Sequence, residues 1–240
     1  MNVSGRYARV WESFWEDAPY EPGGVLWDAD PAQTAERHLR HFAAHFDPGL
    51  PLVDLGCGNG TQTRFLAGRY RRVVGVDLAH AAVARARRDD PHGLAAYQQL
   101  DAVDTDAVRA LHAEWGDANV YMRGVLHQSD TADRSRLVDG IATLTGQRGR
   151  VFAVELAEAC KGLLQDLAQD PAGPPPKLGA VLAHGIAPGE VHDAALPGYF
   201  TAAGLDVLAA GEEPLLTTEF RPDGTRIEVP SLWLVAGLAA

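Results

Sequence analysis

The chain reads as an α/β protein, a doubly wound sheet whose final strand runs antiparallel to the rest. Three features predict this. The apolar run Leu52-Val53-Asp54-Leu55 ends in the glycine turn Gly56-Cys57-Gly58-Asn59-Gly60, and a helical stretch follows. Short apolar segments then alternate with helical ones and finish on acids, at Asp77, Asp101 and Glu155. Near the C-terminus, Pro222-Asp223-Gly224 links two β-rich segments as a hairpin turn.

The 240 residues, 46% hydrophobic and 22% charged, suit one domain with a full core over residues 1–240. Within it, 1–49 is expected to form an N-terminal helical cap and 156–195 an insertion after the fifth strand. A net charge of -11 with no concentrated basic face argues against nucleic acid. Cys57 and Cys160 are too few for a disulfide framework or a zinc site, and no metal is expected. No apolar run approaches the roughly 18 residues of a membrane span, and no signal peptide opens the chain, so a cytoplasmic protein is expected.

Taken in order, Tyr7, Val10, Trp11, Phe14 and Trp15 fall at helical spacing, an aromatic stripe that either packs on the domain or lines a pocket. Pro19 to Gly24 is a turn, and Val25-Leu26-Trp27-Asp28 follows. Asp30-Pro31-Ala32-Gln33 opens a helix, with Asp as N-cap and Pro at the first position. Ala35, Leu39, Phe42 and Phe46 mark its buried face. At 52–60, strand, glycine turn and helix start bring backbone close to a ligand without Cβ interference. The spacing is G-x-G-x-G, with Asp54 two residues before the first glycine, which suits an ammonium better than a pyrophosphate.

Asp54-x-Gly56-x-Gly58-x-Gly60 resembles the first motif of the class I S-adenosylmethionine (SAM)-dependent methyltransferases. The resemblance runs from about residue 30 to the end and is weakest across the insertion. It implies a seven-stranded Rossmann-like sheet, SAM as cofactor and S-adenosylhomocysteine (SAH) as product. Asp54, Gly56, Cys57, Gly58 and Gly60 would wrap the methionine half. The N-terminal layer resembles a lid over SAM, with Trp27 and Asp28 as candidates to face the methionine end.

The second strand, Arg72 to Asp77, ends in an acid twenty-three positions after Asp54, the return distance of a crossover helix. Asp77 is expected to accept both ribose hydroxyls, with Leu78 beside it; an Asp there also serves as N-cap for the Ala79 to Arg88 helix. Ala95 to Leu100 reads as the third strand. The resemblance assigns Asp101 to the adenine amino group and the Ala102 amide to a ring nitrogen. Asn119 to His127 is the fourth strand and its exit. Residues there face the ligand crevice of an open sheet, so Arg123 joins the cofactor set and His127 is the candidate base. The alternative for His127 is a structural imidazole bonded to its loop.

Asp130 caps a helix with the inward stripe Arg134, Leu137, Ile141 and Leu144. Gly149 to Glu155 is the fifth strand, and Glu155 is expected as a solvated strand end. The insertion holds a helix, a proline-rich break at 171–176 and an apolar segment ending in His184; the resemblance places acceptor specificity there. Pro197 to Leu205 is the last helix, and Asp206 to Phe220 and Arg226 to Leu238 are the remaining strands, paired through the Pro-Asp-Gly turn.

No Asn/Asp-Pro-Pro-Tyr/Phe follows the fourth strand, which disfavours nucleic-acid amine methylation. No acidic constellation suits the Mg²⁺-dependent catechol type, and no cysteine cluster suits radical chemistry. The expectation is methylation of a small molecule, a natural-product intermediate, on oxygen rather than nitrogen or carbon. Trp11, Trp15, Tyr20, Tyr121 and His184 would bind the acceptor. A cyclase or isomerase retaining SAM, and a SAM-binding module without turnover, share the same motifs. Either a monomer or a homodimer fits.

Overall fold

The computed structural model describes residues 4–171 and 173–239. The aromatic stripe forms helix α1 (Ser4–Asp17), whose Phe14 and Trp15 are buried. Trp11 meets Trp27 edge-on at 5.3 Å. Asp30 does act as a cap, accepting from the Ala32 amide at 2.8 Å, but what it caps is one 3₁₀ turn, Pro31–Gln33. Helix α2 (Ala35–Phe42) restarts after Thr34 and buries Ala35 and Phe42 as expected.

The alternation of the sequence then appears as β1 (Leu52–Leu55), α3 (Thr61–Ala67), β2 (Val73–Asp77), α4 (His80–Arg88), β3 (Ala96–Gln99), α5 (Thr105–Trp115), β4 (Asn119–Arg123), α6 (Thr131–Thr145) and β5 (Arg150–Leu156). Strand β1 is buried along its whole length, as a strand covered on both faces must be. It pairs parallel with β2 on one side and β4 on the other. The order β3-β2-β1-β4-β5 reverses direction between β1 and β4, and a crevice opens beyond their carboxyl ends.

Two helices, α7 (Cys160–Ala168) and α8 (Pro176–Ala183), occupy the stretch expected as an insertion, and α9 (Leu196–Ala202) leads back to the sheet. The two long C-terminal strands are each broken in two: β6 (Asp206–Glu212) and β7 (Leu215–Phe220), then β8 (Arg226–Val229) and β9 (Ser231–Gly237). Proline causes both breaks, because Pro214 and Pro230 have no N–H to give to a ladder. At the first break, buried Glu213 turns toward α2 and pairs with Arg37 at 2.8 Å and Arg40 at 3.1 Å. The Pro-Asp-Gly hairpin therefore joins β7 and β8 in a separate two-stranded sheet. Strand β9 enters the main sheet between β5 and β6, antiparallel to both, and completes seven strands in the order β3-β2-β1-β4-β5-β9-β6.

The core has a layer on each side of this sheet. Val53, Leu55 and Met122 face Ile141 and Leu144 of α6 and Phe200 of α9. Leu52, Tyr121 and Phe152 face Phe42 of α2 and Leu66 of α3. Strand alternation thus puts Tyr121 on the α2 side, fully buried, where its hydroxyl meets His38 Nδ1 at 2.8 Å. Burial, with Arg123 nearby, lowers the His38 pKa to about 3, so this imidazole is neutral at physiological pH. The expectation that Tyr121 touches the acceptor is corrected: it is a core residue.

Candidate active site

A cavity of about 660 Å³ fills the crevice, within the roughly 300–1,000 Å³ range of small-molecule sites. Its floor is made by the carboxyl ends of β1, β2, β4 and β5. Trp11, Trp15, Trp27 and Asp28 of the N-terminal cap cover one side. Leu164 of α7, Val181 of α8, and Leu215 and Val229 of the hairpin close the other, largely apolar side.

The glycine turn forms part of this wall through Gly56, Cys57, Gly58 and Asn59. Gly58 has φ +54°, and a Cβ there would lie 2.8 Å from the Trp15 ring. The missing side chain is what lets α1 seat on the turn. Gly60 starts α3 and lies against Tyr97, outside the cavity lining. Cys57 belongs to the wall, with its thiol pushed well up by burial, hence neutral. Asp54 lies behind the turn and is not among the lining residues. Its Oδ2 accepts from Thr63 Oγ1 at 2.6 Å, and burial raises its pKa to about 6.

Asp77 ends β2 in the wall. Its Oδ2 accepts from the Gly58 amide and its Oδ1 from the Ala79 amide, each at 2.9 Å. The carboxylate therefore holds the two turns together, and each oxygen keeps further acceptor capacity for a hydroxyl. Leu78, Asp101 and Ala102 line the same end. Asp101 Oδ1 accepts from the Val103 amide at 3.1 Å, and burial pushes its carboxyl up. Arg123 lines the wall and donates from Nη2 to the Trp27 carbonyl at 2.9 Å, tying the cap to β4.

His127 is buried at 6% exposure, and it lines the cavity. The expectation that Glu155 is a solvated strand end is corrected: Glu155 is fully buried and is the partner of His127. Gly124 follows β4 with φ +68°, and the next three residues curl so that their amides point at β5. Glu155 Oε1 accepts from the Val125 and Leu126 amides, both at 2.8 Å. Its Oε2 accepts from the His127 amide at 3.2 Å and meets His127 Nδ1 at 2.7 Å. With both oxygens acting as acceptors, Nδ1 is the donor. The neutral imidazole then keeps its lone pair on Nε2, which has no hydrogen-bond partner among the described residues. A fixed imidazole with a bare nitrogen at a cavity wall can take a proton from a bound molecule.

Two expected acceptor contacts lie elsewhere. Tyr20 is 64% exposed on the outer surface, with the Arg88 guanidinium 4.2 Å over its ring. His184 bonds the Ala180 carbonyl at 2.9 Å and Asp17 at 3.2 Å, bracing α8 against α1 outside the lining. Asn59, Gln62 and the hairpin wall also line the cavity, without a sequence signal that marks them as part of it. Asn59 Nδ2 donates to Asp28 Oδ2 at 2.9 Å, and Gln62 Nε2 donates to the Ala29 carbonyl at 2.9 Å. Both are turn-proximal amides whose polarity carries no helical or strand pattern.

A switch-point crevice with a glycine turn, an acid after each of the next two strands and a cavity of this size form a ligand site of the doubly wound class. The family described as "Methyltransferase domain" matches residues 52–149. A SAM-dependent methyltransferase from Anabaena variabilis superposes with TM-score 0.89 at 30% identity, over 100% of this chain and 96% of that one. A protein studied for the conversion of a disulfide bond into a thioacetal group during echinomycin biosynthesis gives 0.69 at 20%, over 96% and 92%. Magnesium protoporphyrin IX methyltransferase from Synechocystis with bound SAH gives 0.59 at 18%, over 99% and 96%. No curated protein matches the chain. The chain belongs to the class I SAM-dependent methyltransferases, and its cofactor is SAM. Among the described residues no helix is long and apolar enough to cross a membrane.

Proposed function

We propose that this methyltransferase methylates a hydroxyl oxygen of a small, largely apolar molecule, a natural-product intermediate, with His127 as the base. The observation that carries the reading is the His127–Glu155 pair, buried in the cavity wall with Nδ1 occupied and Nε2 bare. The residues present fit the cofactor. Asp77 offers acceptor capacity to ribose hydroxyls, Asp101 and Ala102 line the neighbouring end, and Asp28 has a buried oxygen without a donor. When bound, SAM supplies an activated methyl group.

The protein then has three tasks. The apolar walls from α7, α8 and the hairpin hold the acceptor and exclude water. Trp11, Trp15 and Trp27 cover the cleft from the cap side, as contacts for both ligands. His127 Nε2 receives the hydroxyl proton, and Glu155 stabilises the imidazolium that results. Fold similarity to an echinomycin-biosynthesis protein supports the natural-product assignment.

Incubation with methyl-labelled SAM and a panel of hydroxylated aromatic and polyketide-like compounds tests the reading. Labelled methyl is expected on oxygen, with one SAH formed per product. A rearranged or cyclised product with SAM unconsumed would assign the chain to a cyclase or isomerase. Bound SAM without any product across the panel would favour a binding module.

A further inference from the structure

We propose that Asp28, carried on the N-terminal segment, is the carboxylate that receives the α-ammonium group of SAM, in place of the glycine-turn acid Asp54. The inference rests on the cofactor and not on the identity of the acceptor. Asp28 belongs to the cavity wall and is only 6% exposed. Its Oδ2 is occupied by the Gly23 amide at 3.1 Å and by Asn59 Nδ2 at 2.9 Å. Its Oδ1 is buried and has no hydrogen-bond partner among the described residues. A buried carboxylate oxygen without a donor is costly, and a ligand cation relieves that cost.

The neighbours of Asp28 fit an amino-acid zwitterion. Asn59 fixes the carboxylate against the glycine turn. Arg123, in the same wall, engages one donor on the carbonyl of Trp27, the residue next to Asp28. Its remaining guanidinium donors offer the positive charge that a ligand carboxylate needs. The other acids of the turn are less available. Asp54 is outside the lining and holds Thr63. Asp77 holds the Gly58 and Ala79 amides.

The placement also ties the cofactor to the lid. The Thr218 amide of β7 donates to the Leu26 carbonyl at 2.8 Å, and Thr218 Oγ1 donates to the Val25 carbonyl at 2.8 Å. An ammonium on Asp28 therefore fastens the N-terminal segment and, through it, the hairpin that walls the acceptor side.

The test is calorimetric binding of SAH and of its analogue lacking the α-amino group, to the native protein and to Asp28→Asn and Asp54→Asn. The native protein is expected to prefer SAH by about 10–100-fold, the size of one charge-assisted hydrogen bond. Asp28→Asn is expected to bind the two ligands about equally, and Asp54→Asn to keep the preference. A purely structural effect of Asp28→Asn would weaken both ligands alike and leave the preference intact, which overturns the proposal. Loss of the preference in Asp54→Asn alone would overturn it too. If Asp28→Asn does not fold, the native protein crystallised with SAH decides. The amine nitrogen is expected about 3 Å from Asp28 Oδ1; a nitrogen on Asp54 instead refutes the assignment. Because the readout is binding, failure here leaves the proposal for His127 standing, and the reverse.

Discussion

His127→Ala is expected to lower methyl transfer to a hydroxyl by about 10²–10⁴-fold, the usual contribution of a positioned general base. SAH affinity, measured by calorimetry, is expected to stay within a few-fold of native. The reason lies in how the site divides. Of the residues proposed to hold the cofactor, Asp77, Asp101 and Ala102 belong to β2, β3 and their exits, Asp28 to the N-terminal segment and Arg123 to the end of β4, while His127 stands on the turn that follows. Removing the imidazole takes away no donor or acceptor from that set. A large loss of SAH affinity would mean that His127 holds the cofactor. Unchanged turnover would leave it a structural histidine bonded to its loop.

Glu155→Gln is expected to cost a comparable factor, up to about 10⁴-fold, although Glu155 lies outside the cavity lining. A glutamine amide oxygen can still accept from the backbone, but its NH₂ group faces His127 Nδ1 as a donor. The imidazole then moves its proton to Nε2, and the nitrogen facing the cavity loses its lone pair. Nitrogen NMR of the imidazole is expected to show Nδ1 protonated in the native protein and Nε2 protonated in the variant. A merely structural role for Glu155 would leave the tautomer alone. The double variant with His127→Ala is expected to be little worse than either single one, since the two residues act as a unit. Glu155→Ala behaves differently. It strands the buried backbone amides of Leu126 and His127, at about 1–3 kcal/mol each, and the half-buried amide of Val125, so the main effect is lost stability.

The parallel sheet and the glycine turn were legible because their signals are local. Apolar runs, glycines at fixed offsets and acids at strand ends survive without knowledge of what packs on them. The side chosen by Tyr121 was not legible. Strand β4 is buried on both faces from Asn119 to Met122, and the polar character of Asn119, Tyr121 and Arg123 does not say whether their face looks into the crevice or into the α2 layer. Glu155 misled for a related reason. An acid at the end of an apolar strand looks solvated, and three of its four donors are main-chain amides at a 3₁₀ turn, which no side-chain type announces. The Pro-Asp-Gly hairpin was visible, but its membership in a second sheet depends on Pro214 and Pro230 interrupting two runs that otherwise read as continuous. Tyr20 shared the composition of the pocket aromatics and was drawn outward by the Arg88 guanidinium. Asp28 was recognised by place, but its unsatisfied oxygen is a property of packing alone.

The claim that His127 removes the acceptor's proton is tested most directly by comparing native protein and His127→Ala across acceptors of graded hydroxyl acidity. A base matters less as the hydroxyl ionises more readily. The turnover deficit of the variant is expected to shrink steadily from alkyl hydroxyls to strongly acidic phenols and to approach unity for the most acidic. A deficit that stays constant across the series would contradict the account.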